Sequence, residues 1–236
     1  MFIEKWLPVA ASSFAKDIDG LMVFITMIVG VWFIIAEAVL LTLAFVYRDR
    51  EGRKAAYLPA NTLRSAAVVL IPCVLVLGFD LWIDMVATPI WDHIKVNRPE
   101  PDEVVRITGE QWSWRFTYPG ADGVFDTEDD FQTVNELHVP LNKVILFELE
   151  AKDVVHSLWI PTLRLKQDAV PGRSIQGWFE PTLAGRYETI CAEICGFGHT
   201  MMKAAIVVEE VEAYETWIAS KAPVVTSAVA PAQVVE

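Results

Sequence analysis

Two long apolar runs occupy the first part of the chain, and the hydrophobic pattern changes its period after them. The runs cover residues 20–46 and 63–82, and Trp82 and Trp91 mark an interfacial exit from the second. A helix needs roughly 20 apolar residues to cross a hydrocarbon core of about 30 Å. The first run lies too far into the chain, and is too long, for a simple cleaved signal peptide. The pattern therefore predicts a hairpin of two transmembrane helices, residues 20–46 and 63–91.

The link between the two runs, residues 47–62, predicts the orientation of the hairpin. It carries four basic residues against two acidic ones. Because cytoplasmic loops are enriched in Lys and Arg, we expect this link in the cytoplasm and both termini outside. The N-terminal residues 1–19 carry mixed charge and one apolar patch, and we expect them to form an interfacial outside segment.

From Val104 onward apolar and polar positions alternate as they do in β-strands. The alternation is clearest at the aromatic residues Trp112, Trp114, Phe116 and Tyr118, which predict one apolar face of a strand. Short strands separated by Pro and Gly turn signals predict an antiparallel sandwich or barrel over residues 92–220. Further strands are predicted at 144–151, 174–179, 185–190 and 202–211.

The segment from Cys191 to Met202 is a dense set of soft metal ligands. Cys195 comes four residues after Cys191, His199 four residues later, and Met202 three beyond that. Thiolate and thioether ligands select copper or iron–sulfur chemistry, and imidazole is shared by copper and zinc. A zinc site or a redox motif would instead show Cys-x-x-Cys spacing. A disulfide is possible by count, but it would close a short loop and leave the histidine and methionine unexplained.

The sequence Cys-Ala-Glu-Ile-Cys-Gly-x-x-His-x-x-Met resembles the binuclear copper (CuA) loop of cytochrome c oxidase subunit II. The stretch Asp-Val-Val-His-Ser-Leu-Trp-Ile-Pro, residues 153–161, is similar to the part of that family that supplies the other histidine, here His156. The similarity runs from about Gly20 to Val211. It implies a cupredoxin-like fold for the β domain, with the copper loop held between two strands.

The resemblance implies a role for each residue that matches the copper motif. Cys191 and Cys195 would bridge two copper ions through their thiolates. His156 and His199 would each bind one of the two ions. Met202 would be a weak axial ligand.

Three further residues receive roles from the same resemblance. The backbone carbonyl of Glu193 would be the second axial ligand, and its side chain would reach a magnesium ion shared with subunit I. Asp168 lies in a stretch that the family packs against the same boundary. Trp112, in Gly-Glu-Gln-Trp-Ser-Trp, matches the tryptophan through which electrons enter from cytochrome c.

As a whole, the resemblance implies subunit II of a respiratory cytochrome c oxidase, with oxygen reduction and proton pumping carried out in subunit I. The copper domain would pass electrons from cytochrome c to haem in subunit I, and subunit III would be a further partner. The chain would span the bacterial inner membrane twice, with the copper domain in the periplasm. A quinol oxidase subunit is disfavoured because that branch lacks these ligands. Nitrous oxide reductase carries its copper domain on a soluble propeller, whereas a nitric oxide reductase subunit stays open.

Acidic residues concentrate in the predicted outside domain. From Asp92 onward the chain holds 23 acidic and 12 basic side chains, a net charge of −11, against −1 for the residues before it. Such a field repels nucleic acid and accelerates association with basic proteins, so the expected partner is a basic electron donor such as cytochrome c. The acidic loop 120–130 does not match an EF-hand and is expected to be a solvated turn. Residues 221–236, rich in Ala, Val and Pro, are expected to form a loose tail.

Glu37 is the one acidic residue deep in a predicted membrane helix. It lies about nine residues, roughly 13 Å, from the cytoplasmic end of the first helix. An ionisable group at that depth is a candidate for function. Many family members place a glutamate at the start of the second helix, where it feeds a proton path, but residues 62–66 contain no acid here. Glu37 as its substitute is a hypothesis.

The remaining polar and sulfur residues near the helices are expected to have structural or solvated roles. Asp80 and Asp84 are expected to be solvated charges at a helix end. Cys73 is expected to be a small buried residue on the second helix. The histidines His93 and His138 are expected to be structural or solvated, because the copper set is complete without them.

Overall fold

Two long apolar helices form most of the first of two compact units in the computed structural model, which describes residues 3–54, Tyr57, Pro59 and 61–221. Helix α1 spans Ala15–Val46 and helix α2 spans Leu63–Trp91. Both are long and apolar enough, by length and composition, to cross a membrane. The predicted tail, apart from Lys221, lies outside the described residues.

Local sequence signals and aromatic contacts define the helix pair. The Thr62 hydroxyl accepts a hydrogen bond from the Ser65 backbone N–H, and the Ser65 hydroxyl accepts one from the Thr62 N–H, so α2 begins with a capping box. Phe24 and Trp82 meet edge to face with ring centroids 5.0 Å apart. Such aromatic pairs add about 0.5–1.5 kcal/mol beyond area burial. Cys73 is exposed on α2 and not buried as expected, because no described part of the chain covers that helix face.

Among the described residues, the second unit contains ten strands in two five-stranded sheets. One sheet has the order β3-β2-β1-β5-β8 and the other has the order β4-β10-β9-β6-β7. The strands are antiparallel as predicted, except that β1 pairs in parallel with β5, and β4 with β10. Their bounds are β1 Glu103–Glu110, β2 Ser113–Tyr118, β3 Phe131–Val134, β4 Glu136–Pro140, β5 Ile145–Ala151, β6 His156–Ile160, β7 Leu165–Ala169, β8 Ile175–Phe179, β9 Gly185–Cys191 and β10 Lys203–Glu209.

Alternate side chains along the strands fill the space between the two sheets. Ile107 on β1, Phe147 and Leu149 on β5, and Leu158 and Ile160 on β6 have no exposed surface. Each such side chain contributes about 1.5–3 kcal/mol when it is fully buried. The period-two pattern of these strands therefore produces the predicted cupredoxin-like sandwich.

The N-terminal segment, residues 5–16, belongs to this second unit. The Ala11 N–H donates to the Thr162 carbonyl at 2.9 Å, and the Thr182 N–H donates to the Ala11 carbonyl at 2.9 Å. Phe14 is 1% exposed, and its ring meets that of Trp178 edge to face at 5.4 Å. The segment thus adds backbone hydrogen bonds and a core side chain to the β sandwich.

A short helix follows the last strand of the second unit, where the sequence pattern predicted no helix. Helix α3 spans Val211–Lys221 and follows β10. The Trp217 ring on α3 stacks on His138 at 4.1 Å and meets Tyr118 edge to face at 5.3 Å. Aromatic packing on the sandwich, which depends on distant residues, holds this helix in place.

Candidate metal centre

Two neighbouring strands, β6 and β9, bring the soft ligands together. His156 is the first residue of β6 and Cys191 is the last residue of β9. The Cys191 N–H donates to the Met202 carbonyl at 3.1 Å, and the Ala192 N–H donates to the Ser157 carbonyl at 2.9 Å. Strand hydrogen bonds therefore fix both ends of the loop that carries the remaining ligands.

Five predicted side-chain ligands converge at the base of this loop. The Cys191 Sγ lies 3.8 Å from the Cys195 Sγ and 4.0 Å from Nδ1 of His156. The Cys195 Sγ lies 3.6 Å from Nδ1 of His199 and 3.7 Å from Sδ of Met202. Both cysteines are free thiols, so the disulfide alternative is not adopted. The structure thus brings together all five side chains of the predicted copper set.

Most of the donor side chains are buried, and one of the two histidines is half-buried. His156 is fully buried, and Cys195 and Met202 are 2% and 1% exposed, whereas His199 is half-buried. The backbone oxygen of Glu193 lies 3.2 Å from the Cys191 Sγ, and its side chain is exposed. Thiolate, thioether and imidazole ligands together suit copper, so the residues fit the ion that the motif predicts.

The protonation state of the Cys195 thiol depends on whether a cation is bound beside it. Burial, together with the neighbouring Cys191, raises the pKa of Cys195 to about 11. The thiolate form is therefore unfavourable without a nearby positive charge. Because metal ligands must be deprotonated, a metal that binds here would release protons.

Asp153 orients the buried histidine. Its Oδ1 lies 2.8 Å from Nε2 of His156, and its Oδ2 accepts the Gln111 backbone N–H at 2.7 Å. Burial acts to raise the pKa of Asp153, but hydrogen bonds from His156, Gln111 and the Val154 N–H outweigh it and lower the pKa. The ionised carboxylate holds the Nε2 proton, which leaves Nδ1 free to face Cys191. Such an outer hydrogen bond is usual for metal-binding histidines.

Trp112 lies in the turn between β1 and β2 and not on the strand face that its spacing predicted. Its Nε1 donates to the Cys195 carbonyl at 3.2 Å, and the side chain is 40% exposed. The Gln111 Nε2 donates to the same carbonyl at 2.7 Å. A Cβ atom at Gly198 would lie 2.4 Å from Cδ2 of Trp112, so the indole rests directly on the loop backbone.

Two other predicted residues lie outside the ligand cluster. Asp168 on β7 accepts a hydrogen bond at 2.7 Å from the hydroxyl of Ser157, the residue that follows His156. His138 lies between Glu136 and Glu209, with ring nitrogens 2.8 Å and 2.9 Å from their carboxylates. These contacts give His138 a structural role, as predicted.

Comparison with known proteins places these residues in a family context. Residues 103–211 match the family described as cytochrome c oxidase subunit II, periplasmic domain. The alternative cytochrome c oxidase subunit 2 of Bradyrhizobium diazoefficiens is 30% identical over 244 residues, which cover 90% of this chain and 82% of that protein. The cytochrome c oxidase subunit 2 of Thermostichus vulcanus is 40% identical over 131 residues, which cover 56% of this chain and 37% of that protein.

A solved structure shows similarity to the β domain. The crystal structure of the periplasmic domain of subunit II of cytochrome oxidase from Bradyrhizobium japonicum is 33% identical, with a TM-score of 0.47. The match covers 53% of this chain and 96% of that chain. The similarity to the Bradyrhizobium diazoefficiens protein therefore extends over more of this chain.

Proposed function

The chain belongs to the cytochrome c oxidase subunit II family, and we propose that its converging ligands hold a binuclear copper centre that receives electrons from a cytochrome c. Family membership makes the chain a subunit of a haem–copper oxidase, an oxidoreductase complex. The observation that carries the finer proposal is the meeting of two thiols, two imidazoles and one thioether around one point.

Each ligand has a defined task in this proposal. Cys191 and Cys195 would together hold two copper ions, and His156 and His199 would each bind one of them. Met202 and the Glu193 carbonyl would complete the set as weaker ligands. When bound, the copper pair would supply one-electron transfer. The sandwich contributes by burying the thiols, since exclusion of water and a rigid strand frame keep the ligands in place.

Trp112 and the surface around it are proposed as the docking surface for the donor. The indole is partly exposed and bonds to the Cys195 carbonyl, so it links the surface to the ligand loop. Three apolar side chains of the same loop, Ile194, Phe197 and Met201, are 81%, 99% and 82% exposed. An apolar contact within an acidic domain suits a basic partner, because opposite charge accelerates the encounter and apolar contacts hold the complex.

On the opposite side of the electron path, we propose haem in subunit I as the acceptor, with oxygen reduction and proton pumping in that subunit. The exposed Glu193 side chain would reach a magnesium ion shared with subunit I, near Asp168. Subunit III is a further proposed partner. Glu37 is exposed on α1 and stays a hypothesis for a proton path.

The membrane arrangement is also part of the proposal. Helices α1 and α2 would cross the bacterial inner membrane, with the basic link between them in the cytoplasm. Both termini and the copper domain would then lie in the periplasm. The high hydropathy of both helices supports the two spans, and the basic residues of the link support the orientation.

Copper content and electron paramagnetic resonance of the full-length chain in detergent test the proposal. We expect two coppers per chain that share one unpaired electron. Cys191→Ser should abolish this signal, because it removes one of the two thiolates that would hold the copper ions. Cys73→Ser is the matched control, since Cys73 is exposed on α2 and should leave copper content unchanged. One copper or none in the parent chain would instead favour a docking subunit without an electron-transfer role.

A further inference from the structure

Gln111 joins the two halves of the ligand set through its backbone and its side chain. Its backbone N–H donates to Oδ2 of Asp153 at 2.7 Å, and the other oxygen of Asp153 holds Nε2 of His156. Its side-chain Nε2 donates to the Cys195 carbonyl, also at 2.7 Å. One residue in the β1–β2 turn thus contacts both the segment that precedes His156 and the loop that follows Cys191.

The ligand loop has a shape that fits this amide. A Cβ atom at Gly196 would lie 2.9 Å from the Gln111 Nε2, and Gly196 has a φ of +117°, which side-chain-bearing residues rarely adopt. Gln111 is exposed as a residue, but its amide nitrogen is directed at the loop backbone. The space beside Gly196 therefore holds the Gln111 amide only because Gly196 has no side chain.

The Cys195 carbonyl accepts two hydrogen bonds from adjacent residues. The Gln111 contact is 2.7 Å, and the contact from Trp112 Nε1 is 3.2 Å. The shorter hydrogen bond comes from Gln111, which also donates its backbone N–H to Asp153. A shift of Cys195 would therefore strain the same turn that orients His156.

We propose that Gln111 is a positioning residue that couples the orientation of His156 to the position of Cys195. The chain then has its ligand loop shaped for metal before any metal binds. Residues that hold metal ligands from outside typically contribute 10–100-fold to metal affinity. This inference rests on the proposed copper centre for its affinity test, but the shape of the metal-free loop can be measured independently.

The Gln111→Met variant tests the proposal in the full-length chain in detergent. Methionine has a similar length and no donor, and the backbone N–H to Asp153 is kept. We expect affinity for copper ions, measured by competition with a chelator, to fall about tenfold, because the Trp112 hydrogen bond remains. We also expect an altered copper hyperfine splitting and faster amide hydrogen exchange across residues 193–199 of the metal-free chain.

The matched control is Gln132→Met, which makes the same change on β3. Gln132 accepts a hydrogen bond from Arg115 at 3.0 Å and has no contact with the ligand loop among its described hydrogen bonds. The proposal is overturned if both variants have the same copper affinity and loop exchange. It is also overturned if the affinity loss of Gln111→Met is matched by an equal loss of global stability. If the parent chain binds no copper pair, the proposed function fails, and loop exchange alone decides the role of Gln111.

Discussion

At the scale of single residues, Gly198 shows how the absence of a side chain shapes the centre. Its backbone angles, φ −87° and ψ 10°, are accessible to other residues, so conformation does not require glycine here. The available space does require glycine, because a Cβ atom at this position would lie 2.4 Å and 2.6 Å from two ring carbons of Trp112. The indole can lie flat on the loop and reach the Cys195 carbonyl only when this position has no side chain.

Gly198→Ala should therefore disturb the loop although it adds a single methyl group. Overpacking of this kind costs about 1–3 kcal/mol, and we expect a loss of that size in urea unfolding of the metal-free chain. Copper content per chain should fall as well, since Trp112 or the loop must move. The double variant Gly198→Ala/Trp112→Ala removes the clashing ring. The steric explanation is rejected if the alanine costs as much in the absence of the indole as in its presence.

At the scale of elements, the N-terminal segment acts as part of the β sandwich. Besides the backbone contacts of Ala11, the Ser12 hydroxyl donates to the Leu163 carbonyl at 2.8 Å. The Phe14 side chain lies in the core beside Trp178. Because Pro161–Leu163 follow β6 directly, the segment braces the end of the strand that begins at His156.

Phe14→Ala should destabilise the β domain strongly. Truncation of a buried phenylalanine costs about 3–5 kcal/mol through lost burial and the cavity left behind. Urea unfolding of the full-length chain, followed by tryptophan fluorescence, measures this loss. Phe197→Ala is the matched control, because Phe197 is 99% exposed and should leave the unfolding midpoint unchanged. Equal midpoints for the two variants would mean that the segment is dispensable for the fold.

The elements differ in how far the sequence alone predicts them. The two apolar helices and the convergence of the four loop side chains are predictable, because lipid demands continuous apolar runs and the loop set is local in sequence. His156 lies 35 residues before Cys191, and only the family resemblance indicated it. The position of Trp112 could not be predicted in this way, because its spacing continues the strand pattern of Trp114. In the structure a hydrogen bond to the Cys195 carbonyl and close packing on Gly198 hold Trp112 in a turn. Helix α3 and the supports Gln111 and Asp153 depend on contacts between distant segments. For Asp153, its place three residues before His156 was the available signal.

At the scale of the whole molecule, the uneven distribution of charge has two consequences. The excess of acidic residues from Asp92 onward would steer the proposed basic donor, and this attraction should weaken as salt is added. Many of the same carboxylates form ion pairs on the domain surface. Glu110, for example, contacts Arg115 at 2.6 Å and Lys152 at 2.9 Å.

These ion pairs predict how the stability of the domain depends on pH. Hydrogen bonds from Lys152 and then Arg115 hold the pKa of Glu110 below its usual value of 4.5. Because the folded pKa is lower than the unfolded one, the contribution of Glu110 is fully present above about pH 4.5 and is lost as the pH falls through the folded value. Acid should therefore remove this stabilisation, and neutral pH should preserve it.

Glu110→Gln tests this dependence by urea unfolding at two pH values. At pH 7 we expect the variant to be less stable than the parent by at most about 1 kcal/mol, the scale of partly exposed ion pairs. At a second pH below 4.5 the difference should be smaller, because the stabilisation by Glu110 is lost as the pH falls through its lowered folded pKa. Glu128→Gln is the control, because Glu128 is exposed in the acidic loop and its substitution should change stability little at either pH. A deficit for Glu110→Gln that is equal at both pH values would show that the side chain acts by packing and not by charge.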